Sequence, residues 1–275
     1  MYPELFSIGP FTIHSFGLMM ALGFVAAGVV SYFEFKRKGM NPEYVYWLTL
    51  AAAVGGLLGS KIHYLLLNLD RVGDDPLAMT FSGAGLVWYG GFIVGALAAM
   101  AVARLFRISI IKVLDAGAPA AAIGYAFGRM GCFLNGDDYG IPSALPWAMG
   151  FPQGSPPTPP GVEVQPTQLY ESFAALAIFG ILLYLRPRLK SNGAMISAFL
   201  VMAGIERFLV EFVRFERDGQ LQQQYLGLAT AILAGIALFF IQKRARSAQV
   251  EAAAKPRRAF PKKGPSSLKK RKSPG

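Results

Sequence analysis

The stretch YVYWLTLAAAVGGLLGSKIHYLLLNL, residues 44–69, decides the fold class. A helix of about 20 mostly apolar residues can cross the hydrocarbon core of a bilayer, and this stretch has one charged residue, Lys61. We therefore predict that it spans a membrane. Six further stretches have the same character, and the seven predicted spans are residues 16–35, 44–69, 84–103, 113–127, 169–185, 194–212 and 225–241.

The fourth of these spans is the weakest prediction, because residues 113–127 are few and include Asp115. Glycine and other small residues are frequent in the spans, as in VGGLLGSK and GGFIVGALAA. Small side chains let helices approach closely in lipid, where water does not drive their packing. We expect tightly packed helix pairs at these stretches.

The composition agrees with a membrane protein, since 53% of the 275 residues are hydrophobic and 16% are charged. A soluble domain is about one quarter charged. The predicted fold class is therefore an all-α, polytopic integral membrane protein. A formal net charge of +11 would suit nucleic acid, but the basic residues form short clusters between apolar runs, which argues against nucleic-acid binding. One cysteine and two histidines argue against a disulfide and a metal site.

The basic residues also predict the orientation, because short cytoplasmic loops carry an excess of Lys and Arg. The clusters at residues 36–38, 104–112, 186–190 and 243–272 hold 21 of the 27 Lys and Arg residues. We therefore predict an amino terminus outside the cell and a carboxyl terminus inside.

The same count divides the chain into a membrane domain, residues 1–242, and a basic tail, residues 243–275, that we expect to be disordered in the cytoplasm. The tail either anchors the topology or is attracted to anionic lipid. The segment 130–168 lies on the outer side within the membrane domain. It is rich in Pro and Gly, which predicts an irregular loop.

Two groups of polar residues near the outer ends of spans are candidates for chemistry, because a bilayer tolerates such residues poorly. The first is GRMGCFLNGDDYG, residues 128–140, with Arg129 directly after the fourth span. The second is GIERFLVEFVR, residues 204–214. Its Arg207, Glu211 and Arg214 have spacings of four and three, so we expect them on one helical face.

Both groups place a guanidinium at the same level of the membrane, where the nearest anion is a lipid phosphate. Arginine can bind a phosphate with two parallel hydrogen bonds. The alternative is structural: Arg207 pairs with Glu211, and Arg129 reaches toward the interface.

Four stretches identify a family resemblance. They are GLVWYGGFIVG (residues 85–95), GRMGCFLNGDDYG (128–140), PTQLYE (166–171) and GIERFLVEFVRF (204–215). In this order, between the opening IGPFTIHSFGLM and about residue 240, they resemble the prolipoprotein diacylglyceryl transferase family.

The resemblance implies a transferase of the bacterial inner membrane, with its active site toward the periplasm. Its reaction moves the diacylglyceryl group of phosphatidylglycerol to the lipobox cysteine thiol of a preprolipoprotein signal peptide and releases glycerol phosphate. This is the first step of lipoprotein maturation. The implied partners are phosphatidylglycerol, preprolipoprotein signal peptides and membrane lipids, and no metal or soluble cofactor is expected.

The resemblance also assigns roles to residues. Arg129 and Arg207 correspond to the two important family arginines, which would bind the lipid phosphate and steady the leaving group. Glu211 would orient Arg207. The implied substrate-binding residues are Arg129, Asn135, Gly136, Gln168, Tyr170, Glu211 and His14.

The chain departs from well-studied family members at four positions. It has Tyr89 in place of His, Phe16 in place of Tyr, Cys132 in place of Asn, and Asp137 in place of Glu. A tyrosine with a pKa near 10 is a poor base at neutral pH. Either the thiol proton goes to another carboxylate such as Asp137, or Tyr89 donates a hydrogen bond without taking the proton, or turnover is slow. We therefore keep both residues as catalytic candidates.

Two other functions stay open from the sequence. A paralogue on the same scaffold would move a different lipid group or use a different acceptor. A transporter or lipid-binding scaffold without catalysis would show internal repeats, and the chain has no convincing repeat.

Overall fold

The computed structural model describes residues 2–9, 11–72, 79–80, 87–215 and 220–254. Helices dominate this part of the chain, which confirms the all-α fold class. Among the described residues, seven helices of 17 residues or more lie at the seven predicted places. The elements are β1 (Glu4–Ile8), β2 (Phe11–His14), α1 (Ser15–Arg37), α2 (Tyr44–Leu67), a one-turn helix (Leu69–Val72), α3 (Trp88–Leu105), α4 (Ile110–Asn135), α5 (Thr167–Leu185), α6 (Ala194–Val210) and α7 (Gln220–Ala254).

Five of these helices, α1, α2, α4, α5 and α7, are long and apolar enough to cross a membrane. The helix α3, at the third predicted span, is a shorter apolar helix, and α6 has 17 residues. The chain is therefore a multi-pass membrane protein.

The prediction for the fourth span was wrong in its length, because α4 has 26 residues and includes Arg129. The predicted span stopped before Arg129, whereas the helix continues because Arg129 pairs with Glu171 and Asp138 inside the bundle. Asp115, the charged residue within the predicted span, is fully buried and does not face lipid. Its carboxylate accepts hydrogen bonds from the backbone N–H groups of Gly193 (2.8 Å) and Ile196 (3.0 Å) at the start of α6. A buried charge with such partners lies within the bundle at a much lower cost than one in lipid.

The expected close helix packing is confirmed between α2 and α3. A side-chain carbon added at Gly59 would collide with the backbone oxygen of Gly90, and one added at Gly90 would collide with that of Gly59. Gly55 meets the same helix at Gly95. Small residues therefore bring these two backbones together.

The helices α1 and α4 pack antiparallel. Near the start of α1, Phe16 lies against Gly131, whereas Lys38, just after α1, lies 3.5 Å from Asp115. Asp115 and Arg129 are 14 residues apart on α4, or roughly 21 Å along its axis. The bundle thus has two ends, which we call the Asp115 end and the Arg129 end.

An apolar cavity of about 380 Å³ lies between α1, α2, α3 and α4. Its lining includes Phe24, Leu48, Ala52 and Ala120, and it reaches Tyr125 on α4. Phe35, Val45 and Val113 also line it, so the cavity extends from near the Asp115 end to the Arg129 end.

The connection between α4 and α5 is irregular, as predicted, but it has its own small core. Tyr139, Phe151 and Val164 are buried together, and the rings of Tyr139 and Phe151 stack 5.5 Å apart. The β1–β2 hairpin is an addition that the sequence did not suggest. At the other terminus α7 continues to Ala254, beyond the predicted end at residue 241. Residues 255–275 of the basic tail lie outside the described residues. The domain boundary at residue 242 stays a prediction.

Candidate functional site

A fully buried glutamate, Glu171 on α5, is the centre of the Arg129 end. Its Oε1 accepts a hydrogen bond from the hydroxyl of Tyr125 at 2.9 Å and lies 2.9 Å from Nη2 of Arg129. Nη1 of Arg214 lies at 3.4 Å and Nη1 of Arg207 at 3.6 Å from the same oxygen. Three guanidinium groups therefore converge on one carboxylate. We call Tyr125, Arg129, Asp138, Glu171, Arg207 and Arg214 the Glu171 cluster.

Polar side chains at the start of α5 fix Glu171 in this place. Ser172, the next residue, donates a hydrogen bond of 3.0 Å to the backbone oxygen of Ala126 on α4. One turn before Glu171, Thr167 donates a hydrogen bond of 2.8 Å to the backbone oxygen of Asp138. These bonds hold the first turns of α5 against the last turns of α4.

Asp138 is a second bridge between arginines. Its Oδ2 lies 3.0 Å from Nη1 of Arg129 and 2.9 Å from Nη2 of Arg214. Burial alone would raise the pKa of Asp138, but attraction to Arg214 and Arg129 outweighs burial, so the pKa lies below its ordinary value. Asp138 is therefore an anion that holds the two arginines, and it is a weak base.

A left-handed turn delivers these aspartates to the cluster. The helix α4 ends at Asn135, and Gly136 follows with a φ of 77°, a conformation that glycine adopts without steric cost. Gln168 then donates a hydrogen bond of 2.6 Å to the backbone oxygen of Asp137. The predicted residues Asn135, Gly136, Asp137 and Gln168 therefore meet in one turn beside Arg129.

Asp137 differs from Asp138 in its electrostatic surroundings. Burial raises the pKa of Asp137, and the neighbouring Asp138 raises it further, while hydrogen bonds from Cys132 and Asn135 oppose the rise. Its buried Oδ1 has no hydrogen-bond partner among the described residues. Asp137 is thus the better proton acceptor of the two.

The second predicted group reaches the cluster in two ways. Arg207 and Glu211 form an ion pair of 2.5 Å across one helical turn, as their spacing predicted. The helix ends at Val210, however, so Arg214 does not share its face as expected. Instead Arg214 pairs through its backbone with Gly140, which follows the aspartate turn, and its side chain enters the cluster from there.

The cluster is closed on one side and accessible on another. The side chain of Glu171 is 0% exposed, that of Arg129 is 11% exposed and that of Arg207 is 26% exposed. Each nitrogen of Arg129 already has a protein partner, namely Tyr125, Asp138 or Glu171. An external anion therefore meets Arg207 first.

Three predicted residues take part in contacts outside the cluster or lie at the surface. The hydroxyl of Tyr89 on α3 accepts a hydrogen bond from Nε2 of Gln223 on α7. The hydroxyl of Tyr170 accepts a hydrogen bond of 2.6 Å from the indole nitrogen of Trp147. His14 is exposed at the end of β2, where its backbone pairs with Glu4.

Sequence reasoning missed Tyr125 and Glu171 as site residues. Glu171 is the last residue of the PTQLYE stretch and begins an otherwise apolar helix, which was a usable signal. Tyr125 lies one turn before Arg129 and donates to Glu171, so its role depends on a residue 46 positions away. Cys132, one of the departures, lies near the cluster, with its Sγ 3.9 Å from Nη1 of Arg129.

The chain is similar to known proteins over most of its length. Residues 3–242 match the family model described as prolipoprotein diacylglyceryl transferase. Three curated relatives bear the name phosphatidylglycerol–prolipoprotein diacylglyceryl transferase. The protein from Clostridium tetani is 34% identical over 88% of this chain and 98% of its own length, that from Bordetella avium is 33% identical over 90% and 97%, and that from Geobacter sulfurreducens is 35% identical over 80% and 84%.

Proposed function

Since the chain belongs to the prolipoprotein diacylglyceryl transferase family, we propose that it moves the diacylglyceryl group of phosphatidylglycerol to the cysteine thiol of a preprolipoprotein. It is a transferase, and its reaction is the first step of lipoprotein maturation. The observation that carries the proposed site is the convergence of Arg129, Arg207 and Arg214 on Glu171 at one end of the bundle.

The guanidinium groups are suited to a phosphate. Arg207 is the most exposed of the three and makes the first contact with the lipid phosphate. Each guanidinium carries five N–H donors, so Arg129 and Arg214 can add bonds without leaving Glu171. Glu211 keeps Arg207 directed into the site through their ion pair.

The apolar cavity supports lipid binding at the same place. It runs from near the Asp115 end of the bundle to Tyr125, whose hydroxyl contacts both Arg129 and Glu171. A lipid with its phosphate at the arginines can lay an acyl chain along this cavity, because the lining is predominantly apolar.

The chemical step forms a thioether at the glycerol carbon as the carbon–oxygen bond to phosphate breaks. The electron pair of that bond goes to the phosphate, where positive charge from the arginines stabilises it. The thiol proton goes to a base, and we propose Asp137, because its pKa is raised and its Oδ1 has no partner among the described residues. Tyr89 then acts as a hydrogen-bonding residue that does not take the proton.

The remaining predicted residues have supporting roles in this proposal. Asn135, Gly136 and Gln168 hold Asp137 in its turn. Tyr170 and His14 contact the lipid headgroup or the peptide at the edge of the site.

We propose the bacterial inner membrane as the location, with the Arg129 end toward the periplasm. The basic residues support this orientation, since Lys38 and Arg186 lie at the opposite end, where each pairs with a buried carboxylate. Short cytoplasmic loops carry an excess of such residues.

The proposed function is tested with purified protein, phosphatidylglycerol vesicles and a lipobox peptide. We expect mass spectrometry to detect a peptide heavier by one diacylglyceryl group, and a second assay to detect equimolar glycerol phosphate. A parallel peptide with serine in place of the lipobox cysteine is the control. Absence of transfer, together with failure to rescue cells depleted of the transferase, would overturn the proposal. Transfer from another lipid but not from phosphatidylglycerol would indicate a paralogue.

A further inference from the structure

The mechanism above leaves one buried carboxyl group at the Arg129 end without a role. Glu206 on α6 is partly exposed as a residue, but its Oε1 is buried, and no group among the described residues hydrogen-bonds to this atom. A buried polar atom without a partner costs about 1–3 kcal/mol in stability. Such a cost in a site region is typical of a group whose partner arrives with the substrate.

The packing of α6 directs Glu206 into the bundle. Gly204 and Arg207 lie against Gly227, so that side of α6 faces α7. Met202 and Glu206 are one turn apart on a different side, and Met202 packs on the core that α4 and α5 form. Glu206 therefore points between α4 and α5, at the level of the Glu171 cluster.

The charged groups around Glu206 come from each of these elements. Glu171 on α5 is its strongest charged neighbour, followed by Arg129 on α4, Arg207 on α6 and Arg214. Tyr125 on α4 also interacts with it. On α7, residues 222–242 contain one titratable side chain, Tyr225, which is exposed.

The charge balance of this group favours a neutral Glu206. The three arginines are already matched by Glu171, Asp138 and Glu211. A further carboxylate next to buried Glu171 would add a negative charge that lacks a cation of its own, and like charges at close range disfavour joint ionisation. Oε2 of Glu171 is also buried and has no hydrogen-bond partner among the described residues.

We infer that Glu206 is the general acid of the transfer reaction and donates its proton to the departing glycerol phosphate. This rests on the proposed function. In the step, the thiol sulfur bonds to the glycerol carbon and its proton goes to Asp137. The carbon–oxygen bond breaks, its electron pair stays on the phosphate, and the proton of Glu206 moves to a phosphate oxygen. Exchange with solvent then returns a proton to Glu206 and removes one from Asp137.

Glu206 and Asp137 thus divide the acid and base roles. They approach the reacting centre from different elements, Glu206 from α6 and Asp137 from the turn after α4. Protonation lowers the negative charge of the leaving phosphate from a dianion to a monoanion, which weakens its hold on the three arginines and favours product release.

The test compares Glu206→Gln with wild type in the vesicle assay. Glutamine keeps the shape and polarity of the side chain but cannot donate a proton, so we expect kcat to fall by about 100-fold or more. KM for phosphatidylglycerol should stay near the wild-type value, because Glu206 does not anchor the lipid. Glu206→Asp, which keeps an ionisable carboxyl, should recover part of the loss. Glu163→Gln, at an exposed glutamate in the connection between α4 and α5, is the matched control.

The pH profile gives an independent reading. A general acid acts only while it is protonated, so the wild-type kcat should fall as pH rises through the ionisation of Glu206. In Glu206→Gln this falling limb should be absent. Thermal unfolding and lipid binding of each variant show whether it is folded.

Two results would overturn the assignment: a Glu206→Gln kcat close to wild type, or a wild-type kcat with no falling limb at high pH. The second needs no variant, so a misfolded Glu206→Gln would still leave the inference testable. Failure of the proposed function is a different outcome, since then wild-type protein would transfer nothing.

Discussion

The two ends of the bundle each contain a fully buried carboxylate, and these residues have different partners. Asp115 binds two backbone N–H groups at the start of α6 and lies near a single lysine. Glu171 binds side chains only, those of a tyrosine and three arginines. Backbone partners are fixed by the fold, whereas arginine side chains can rearrange around a second anion. Glu34, also fully buried at the Asp115 end, pairs with the side chains of Arg37 and Arg186. Arginine partners alone therefore do not mark a site, and the Arg129 end is distinguished by three guanidinium groups that converge on one carboxylate.

The largest expected effect comes from breaking the arginine arrangement at the Arg129 end. In Arg129→Lys the charge stays, but a lysine cannot contact Tyr125, Asp138 and Glu171 together. We expect kcat for diacylglyceryl transfer to fall by about 100- to 1,000-fold, as for loss of one preorganised donor to a developing anion. Arg186→Lys, at the other end, should leave transfer near wild type. Equal losses in both variants would contradict the distinction between the two ends.

The next effect tests the proposed base. We expect Asp137→Asn to reduce kcat by about 100-fold, since general base catalysis contributes 10²–10⁴-fold. A base acts when ionised, so the wild-type rate should rise with pH through the raised pKa of Asp137, above its ordinary value of 3.8. This rising limb should disappear in Asp137→Asn, and its persistence would assign the base elsewhere.

A substitution at the Asp115 end should lower the free energy of unfolding and leave kcat nearly unchanged. Asp115→Ala leaves the N–H groups of Gly193 and Ile196 without their acceptor, which we expect to cost about 1–3 kcal/mol in the free energy of unfolding. The measurement is thermal unfolding in detergent, with kcat expressed per folded protein. Asp115→Asn keeps one acceptor oxygen and should lose less. A large loss of kcat at unchanged stability would make Asp115 part of the site.

The smallest effect is expected at Cys132. Its thiol lies near Arg129 and could suggest a covalent intermediate. A lone cysteine in an apolar helix is usually a small apolar residue, so Cys132→Ser should transfer at a rate close to wild type. Loss of transfer, with a lipid adduct on Cys132 in the mass spectrum of the wild type, would show a covalent step.

Local patterns predicted the elements of the fold well. In the described part of the chain, the seven long helices lie where apolar runs predicted them, because burial of apolar surface adds up residue by residue along a span. The length of α4 was wrong because the charge of Arg129 counts against a span in any local measure, and its partner Glu171 lies 42 residues away.

The candidate site was predicted only where composition and short-range spacing were enough. Arg129 and Arg207 stood out because a charge in an apolar helix needs an explanation. Arg207 and Glu211 were found as a pair because a helix fixes the geometry of residues four apart. The position of Arg214 was not predictable from spacing, since the helix ends at Val210 and pairing with Gly140 places it.

The sequence by itself determined that this protein crosses a membrane several times, which polar residues need a role there, and which family it resembles. These are properties of composition and short-range spacing. The tertiary structure alone decided that Asp115 caps a helix, that Glu171 gathers three arginines, and that Glu206 has a buried oxygen without a described partner. The physical reason is that a buried charge is stabilised by whichever groups packing brings beside it, and those groups are distant in the chain.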